Sequence, residues 1–289
     1  MALQTRPLHP GFGLEVEAPL VNALTDDALV DELHGLWRDH AVLIFRRQSL
    51  TEDELVEFSS RFGKCEIVSR RDILSPYRDE VIYFSTLRYA DGRTVGGFAG
   101  GEELDWHSDQ TFRPDPATGA ILYGVEVPKD GGLMYWANQH LAYERLPEDV
   151  KQAIEGRTGV YSYAKRLKNM QPLELKDKLE ELKRTTPDVR HPVMMRNAKT
   201  GRKALYADPS TLVSIEGLSE EENARILPIL FETATNPEFV YGHKVMPGDV
   251  LMWDNGCTLH RRDAISMEQP RLMKRTTFRL SKAEHCVPH

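Results

Sequence analysis

Two imidazoles and a carboxylate are the residues of this chain whose types and spacing could carry out redox chemistry. His107 and Asp109 lie two residues apart, and His260 follows much later in the chain. Side chains at alternate positions of an extended strand project from the same face, so His107 and Asp109 could both reach one ion. Two histidines and one carboxylate bind Fe(II) on one face and leave positions open for an oxidisable co-substrate and O2. The pattern predicts a metal site whose ligands and catalytic residues are His107, Asp109 and His260.

Two arginines follow the second histidine and lie four residues apart, at Arg271 and Arg275. On a strand this spacing places both side chains on one face. A forked guanidinium can bind a carboxylate through two hydrogen bonds, so one arginine could hold a co-substrate and the other an anionic substrate group. The alternative for Arg275 is an ordinary ion pair with a surface acid. The pair favours small anionic molecules as binding partners.

Composition narrows the class of partner. The chain has 289 residues and a formal net charge of -7, which argues against binding to a nucleic-acid backbone. Its three cysteines are too few for a disulfide framework and suit a reducing compartment. The first residues lack the apolar core of a signal peptide, and no stretch approaches the roughly 20 apolar residues of a membrane helix. We expect a cytoplasmic protein with a small-molecule substrate, no nucleic-acid partner and no membrane association.

The periodicity of apolar residues predicts a mixed set of helices and strands. Helices are predicted over 28–37, from the capping box at Thr51 and Glu54, over 141–154 with an interruption at Pro147, and after Ser219. Strands are predicted over 42–45, 120–123, 133–136, 250–253 and 276–280. The expected fold class is mainly β with helices packed outside, in a single domain over residues 1–289. Irregular composition predicts loops over the active site at 70–101 and 155–190.

Beyond the ligand pattern, the chain resembles the TauD/TfdA family, the taurine and 2,4-dichlorophenoxyacetate dioxygenases. The resemblance covers nearly the whole chain and rests on residues 41–46, 61–63, 106–109 with Phe112, Gly131-Gly132, 201–206, 215–218, 248–255, His260 and Arg271. It implies a double-stranded β-helix, or jelly roll, with flanking helices. It also implies Fe(II), 2-oxoglutarate as co-substrate and O2.

The resemblance gives individual residues their expected roles. It implies that His107, Asp109 and His260 hold the iron and that Arg271 binds the distal carboxylate of 2-oxoglutarate. Arg275 stands where the taurine-oxidising members hold the substrate's anionic group. Carried over by position, Glu103, Gln110 and Phe112 would face the substrate.

Met134 departs from the family pattern in the co-substrate site. Many members have Thr or Ser at this position, and its hydroxyl donates to the same carboxylate as the arginine. A thioether donates nothing, so the loss could cost about 1.5–3 kcal/mol of binding free energy. We therefore expect 2-oxoglutarate to remain the co-substrate but to bind more weakly.

The expected function is oxidation, by default hydroxylation, of a small, anionic organic molecule, with release of succinate and CO2. Desaturation and cleavage of a carbon–heteroatom bond are compatible with the same residues. A non-catalytic metal-binding sensor or scaffold is an alternative, as is a zinc hydrolase with the same ligands, although the paired arginines would then have no clear use. By analogy with the family, a homodimer or homotetramer is expected.

Overall fold

The computed structural model describes residues 3–67, 73–96, 101–170, 184–281 and 285. The strands are β1 (Gln4–His9), β2 (Phe12–Glu17), β3 (Val42–Phe45), β4 (Lys64–Cys65), β5 (Ile82–Ser85), β6 (Leu104–His107), β7 (Gly119–Glu126), β8 (Met134–Asn138), β9 (Thr158–Tyr161), β10 (Val189–Pro192), β11 (Met194–Arg196), β12 (Lys203–Leu205), β13 (Leu212–Ile215), β14 (Val240–His243), β15 (Val250–Asp254), β16 (Thr258–Arg262) and β17 (Leu272–Arg279). The helices are α1 (Asp27–His40), α2 (Glu52–Ser60), α3 (Gln139–Arg145), α4 (Glu148–Ile154), α5 (Tyr163–Met170) and α6 (Glu220–Ala234).

Two sheets form the core of a jelly roll. The larger has eight strands in the order β1-β2-β3-β15-β7-β17-β4, with β5 also paired to β17, and the smaller has the order β14-β8-β16-β6. Leu251 and Trp253 of β15 pack in one apolar cluster with Trp136 of β8, so this cluster joins the two sheets. The predicted class, mainly β with a jelly-roll core, is confirmed.

The opposite face of the larger sheet is covered by α1 and α2. Val250 and Met252 of β15 pack there with Leu33 and Trp37 of α1, because successive side chains of a strand point to opposite faces. Positions 250–253 of β15 are therefore all apolar, as a strand covered on both faces requires. The predicted capping box is present, since Thr51 Oγ1 accepts from the Glu54 amide and the Glu54 carboxylate accepts from the Thr51 amide.

The interruption predicted at Pro147 is confirmed, because α3 ends at Arg145 and α4 begins at Glu148. The predicted loops are more structured than expected. The described part of 70–101 contains β5, which pairs with β17, and 155–190 contains β9 and α5. Residues 68–72, 97–100 and 171–183 lie outside the described residues. The lysine- and arginine-rich composition of 155–170 concealed a short buried strand and a helix.

Strands from both ends of the described chain lie in the same sheet, since β1 and β17 both belong to the larger one. On this basis we propose one domain for residues 1–289. Among the described residues, no helix has the length and apolar content needed to cross a membrane.

Candidate metal and co-substrate site

The predicted ligands meet between two paired strands of the smaller sheet. His107 ends β6, and His260 lies directly opposite it on β16 in the antiparallel register. Asp109 follows β6 and is buried like both histidines. Asp109 Oδ1 lies 4.0 Å from His107 Nε2 and 3.7 Å from His260 Nε2. The ligand atoms of the triad all lie within 4.8 Å of one another, so one ion can contact all of them with small side-chain adjustments.

A hydrogen bond to the main chain orients the His107 ring so that its ligand nitrogen faces the site. His107 Nδ1 lies 2.7 Å from the carbonyl oxygen of Asp105, to which it donates as the protonated nitrogen. This bond fixes the tautomer and leaves the Nε2 lone pair facing Asp109, as in most histidine–metal sites. His260 Nδ1 is buried without a partner among the described residues, and its ring packs 5.0 Å from that of Trp253.

The turn between the first two ligands is held from two sides. Ser108 Oγ donates to the carbonyl of Asn255 at 2.7 Å, and the Asp109 amide donates to the side-chain oxygen of Asn255 at 3.3 Å. The Ser108 amide donates to Asp208 Oδ2 at 3.3 Å. Asn255 directly follows β15, so these bonds hold the backbone of the turn that carries Asp109 against the end of a strand of the larger sheet.

Arg275 contacts the metal-ligand carboxylate directly. Its Nη2 donates to Asp109 Oδ2 at 2.5 Å, and its side chain is only 13% exposed. The bond occupies one carboxylate oxygen and leaves Oδ1 facing both imidazoles, which orients Asp109 to bind an ion through one oxygen. Burial alone would raise the pKa of Asp109, but the positive charge of Arg275, together with the charges that the two imidazoles carry when protonated, holds that pKa well below its usual range.

The protonation states of the triad suit metal binding. Burial lowers the pKa of His260 to about 4, although the Asp109 carboxylate opposes the shift. Burial also lowers the pKa of His107 well below its usual range, and the charge that His260 carries when protonated and the charge of Arg166 act in the same direction. Both imidazoles are therefore neutral and the carboxylate is charged near neutral pH, the forms in which these groups bind metals. This donor set fits Fe(II) at the site.

Arg271 supplies a buried positive charge near the start of β17. Burial lowers its pKa, and the charge of Arg262 lowers it further. No carboxylate among the described residues forms an ion pair with the Arg271 guanidinium. A buried cation without an acid costs free energy, and a bound anion would recover it. The environment of Arg271 is that of an anion-binding residue.

Met134 lies opposite Arg262, the residue whose charge contributes to the lowered pKa of Arg271. It is buried on β8, and its Cα lies opposite that of Arg262 on β16. The side chain belongs to the apolar cluster that joins the two sheets, together with Leu122 and Met273. Met134 therefore contributes packing at this position.

The structure places the predicted substrate residues in different surroundings. Glu103 is exposed, and its carboxylate pairs with Arg261 at 2.8 Å. Gln110 has a left-handed backbone with φ of 60°, and both ends of its amide are engaged, by Glu66 and Arg279 at 2.6 Å each. For both residues, contact with substrate stays a prediction.

Phe112 follows Asp109 by three residues, and its ring packs against that of Tyr163 with 4.5 Å between centroids. Tyr163 begins α5, within the segment whose composition indicated only a loop. Substrate contact by Phe112 also stays a prediction.

No role was predicted from the sequence for Asp208 and Ser210, which lie in a distant part of the chain. They support the metal loop, which is the turn that carries Ser108 and Asp109. Asp208 is buried and accepts from the Ser108 amide and from Thr111 Oγ1. No local pattern marks these residues, because their function depends on a contact across about a hundred residues of chain. Asn255, by contrast, belongs to the segment 248–255 on which the family resemblance rests. Its position directly after an apolar strand could have indicated a supporting role.

Comparisons with known proteins agree with this geometry. The family model described as taurine catabolism dioxygenase TauD, TfdA family matches residues 4–277. The chain is 32% identical over 287 residues to the alpha-ketoglutarate-dependent 2,4-dichlorophenoxyacetate dioxygenase of Cupriavidus pinatubonensis, covering 96% of this chain and 98% of that protein. It is 30% identical over 282 residues to pentalenolactone F synthase of Streptomyces avermitilis, covering 94% and 92%.

A solved structure shows the same fold. The crystal structure of AAD-2 in complex with Mn(II) and N-oxalylglycine has a TM-score of 0.78 and 28% identity, covering 96% of this chain and 97% of that one. Relatives of this kind use Fe(II), α-ketoglutarate and O2, and the His107, Asp109 and His260 triad provides a matching metal site. The chain belongs to the TauD/TfdA family of α-ketoglutarate-dependent dioxygenases and is an oxidoreductase of that class.

Proposed function

We propose that this protein oxidises a carbon of a small substrate that carries a carboxylate, sulfonate or phosphonate, with 2-oxoglutarate converted to succinate and CO2. Hydroxylation is the default outcome. The observation that carries the proposal is the contact between Arg275 and Asp109, which places a buried guanidinium beside the metal triad. A cation in that place attracts an oxyanion to the position where oxidation occurs.

Each residue of the site has a distinct task in this reaction. Fe(II), when bound, supplies with 2-oxoglutarate and O2 the oxidising power that protein side chains lack. His107, Asp109 and His260 hold the ion, and Arg271 holds the distal carboxylate of the co-substrate. The burial of the ligands keeps water from the reacting groups.

Arg275 has donors left for a substrate after it has bonded to Asp109. Its Nε is buried and has no hydrogen-bond partner among the described residues. The guanidinium lies 5.4 Å from the ring centroid of Trp253 and 6.0 Å from that of Phe84, which restrict its orientation. A substrate oxyanion at the free edge would satisfy this donor and would be held beside the metal.

Replacing Arg275 with Gln should lower kcat/KM for anionic substrates by about 100-fold, because a charged and nearly buried hydrogen-bonding partner is lost. The assay is succinate release with aryloxyacetates, sulfonates, phosphonates and acylated amino acids. Arg279→Gln is the matched control, since Arg279 lies on the same strand but bonds to Gln110 and Asp115. Unchanged kcat/KM in Arg275→Gln would contradict the anionic substrate.

Absence of succinate release from the wild-type protein with every substrate would instead contradict turnover and favour a sensor or scaffold. Product identification by mass spectrometry distinguishes hydroxylation from desaturation and from carbon–heteroatom cleavage. We also propose a cytoplasmic protein and a homodimer or homotetramer, the latter tested by light scattering.

Replacing Met134 with Thr should strengthen 2-oxoglutarate binding by about tenfold, because a hydroxyl donor is restored near the Arg271 charge. The same change removes apolar packing, so the free energy of unfolding should fall by about 2–5 kcal/mol. Anaerobic titration gives the affinity, and denaturant unfolding gives the stability. Met134→Leu keeps the packing and adds no donor, so its affinity should match the wild type. Equal affinities for Thr and Leu would disprove the role of the hydroxyl.

A further inference from the structure

Helix α5 lies beside the metal loop. Its first residue, Tyr163, packs its ring against that of Phe112, which follows Asp109 by three residues. The preceding residue is anchored as well, since the Ser162 amide donates to the carbonyl of Thr211 at 2.9 Å. The N-terminal half of α5 is therefore held against the region that contains the triad.

Arg166 extends from this helix toward the metal loop through a short series of hydrogen bonds. Its Nη1 donates to Ser210 Oγ at 3.2 Å. The Ser210 amide donates to Asp208 Oδ1 at 2.7 Å, and Asp208 Oδ2 accepts from the Ser108 amide at 3.3 Å. Ser108 is the residue between His107 and Asp109, so three hydrogen bonds connect the Arg166 guanidinium to the turn that carries two of the triad residues.

The guanidinium of Arg166 forms no ion pair with an acid among the described residues. Within the ranges that the structure describes, no carboxylate lies within ion-pair distance of its guanidinium. Asp208 comes nearest in the series, but its oxygens accept from Ser210, Ser108 and Thr111. A guanidinium has five N–H groups, and among the described residues only Ser210 accepts from that of Arg166, so four donors are left that a ligand could use.

Arg166 also acts electrostatically on the triad. Burial is the main cause of the lowered pKa of His107, and the Arg166 charge adds to it. The same charge contributes to the lowered pKa of His260, where burial is again the larger cause. An anion bound between Arg166 and the metal would lie in the field of this cation and of Arg275.

We propose that Arg166 is a specificity-determining residue that binds an oxyanion of the substrate as a second cation in addition to Arg275, with the Phe112 and Tyr163 rings as apolar neighbours of that oxyanion. This inference rests on the proposed function, because it assigns a second contact to the same substrate. The two guanidiniums would form one cation site for a carboxylate, sulfonate or phosphonate group. Forked hydrogen bonds from a guanidinium add geometric specificity as well as binding energy toward such oxyanions.

The neighbouring residue provides a matched control. Lys165 is also a cation on α5, but its Nζ donates to the carbonyl of Leu212 at 2.7 Å and lies 4.8 Å from the ring centroid of Phe231. Removing its charge changes the net charge of the helix by the same amount as removing that of Arg166. A non-specific electrostatic effect would therefore appear in both variants.

The test is calorimetric titration under argon of the protein saturated with Fe(II) and 2-oxoglutarate, so that Arg271 is already occupied. The probes are 2,4-dichlorophenoxyacetate, hexanesulfonate and the uncharged methyl ester of the first. In Arg166→Gln, the Kd of the two anions should rise by about tenfold or more while that of the ester changes little. In Lys165→Gln, all values should stay within about twofold of the wild type.

Arg166→Lys should give intermediate affinity, since it keeps the charge and loses the fork. In steady-state assays, Arg166→Gln should raise KM with kcat largely retained, because the guanidinium does not touch a metal ligand. Anion binding in Arg166→Gln equal to that of the wild type, or no anion binding by the wild type, would overturn the inference. Arg166-dependent binding without succinate release would refute the proposed function and leave the assignment of Arg166 intact.

Discussion

Replacing His260 with Ala is expected to reduce metal affinity by more than about 100-fold and to abolish oxidation. Loss of a residue that merely supports a ligand typically costs 10–100-fold, so loss of the ligand itself costs more. The remaining His107 and Asp109 cannot complete the facial arrangement that holds Fe(II). Anaerobic Fe(II) titration measures the affinity, and the visible absorption band expected with Fe(II) and 2-oxoglutarate should be lost.

His140→Ala is the matched control for this experiment. His140 is also a buried imidazole, but its Nδ1 bonds to the carbonyl of Lys203 at 2.7 Å, and it lies outside the triad. Both variants lose a buried ring and some stability, whereas only His260→Ala should lose the metal. Wild-type Fe(II) affinity in His260→Ala would show that the triad is not the metal site, and the oxygenase assignment of these residues would fail.

Replacing Arg271 with Gln is expected to weaken 2-oxoglutarate binding by about 100-fold or more, because the distal carboxylate loses a buried charged partner. The ligand-free protein should be as stable as the wild type or more stable. The reason is that Arg271 is buried, its pKa is lowered by that burial, and no acid among the described residues compensates its charge. Weaker 2-oxoglutarate binding together with unchanged or greater stability would show that Arg271 serves ligand binding and not folding.

Two measurements check this prediction. Anaerobic titration gives the 2-oxoglutarate affinity, and thermal unfolding with and without 2-oxoglutarate gives the stabilisation by the ligand, which should disappear in Arg271→Gln. Arg271→Lys should recover part of the affinity, since it restores the charge without the forked geometry. A Gln variant that loses stability while it retains affinity would mean that Arg271 is a structural residue.

The metal ligands could be predicted from the sequence because their signal is local. His107 and Asp109 are separated by the two-residue repeat of a strand, and His260 follows an apolar run that forms β15. The helices that carry capping boxes were predictable for the same reason, since a cap and its partner are only three residues apart.

The secondary structure of the two segments predicted as loops, 70–101 and 155–190, was the hardest part of the fold to predict. The β9 strand pairs with β10 and β13, so its stability comes from segments about 30 and 50 residues away. Gln110 illustrates the same limit for a side chain. The family resemblance implied a substrate contact for Gln110, which stays a prediction, but only the folded chain shows that Glu66 and Arg279 engage its amide.

The sequence by itself determined the His107 and Asp109 pair, the two downstream arginines and the continuous apolar run 250–253 that is buried on both faces of β15, because each depends on residue type and short spacing. Only the tertiary structure decided which groups these residues meet. The register of β16 against β6 brings His260 to His107, and β17 brings Arg275 to Asp109. Such contacts depend on strand pairing between distant segments, which local periodicity does not specify.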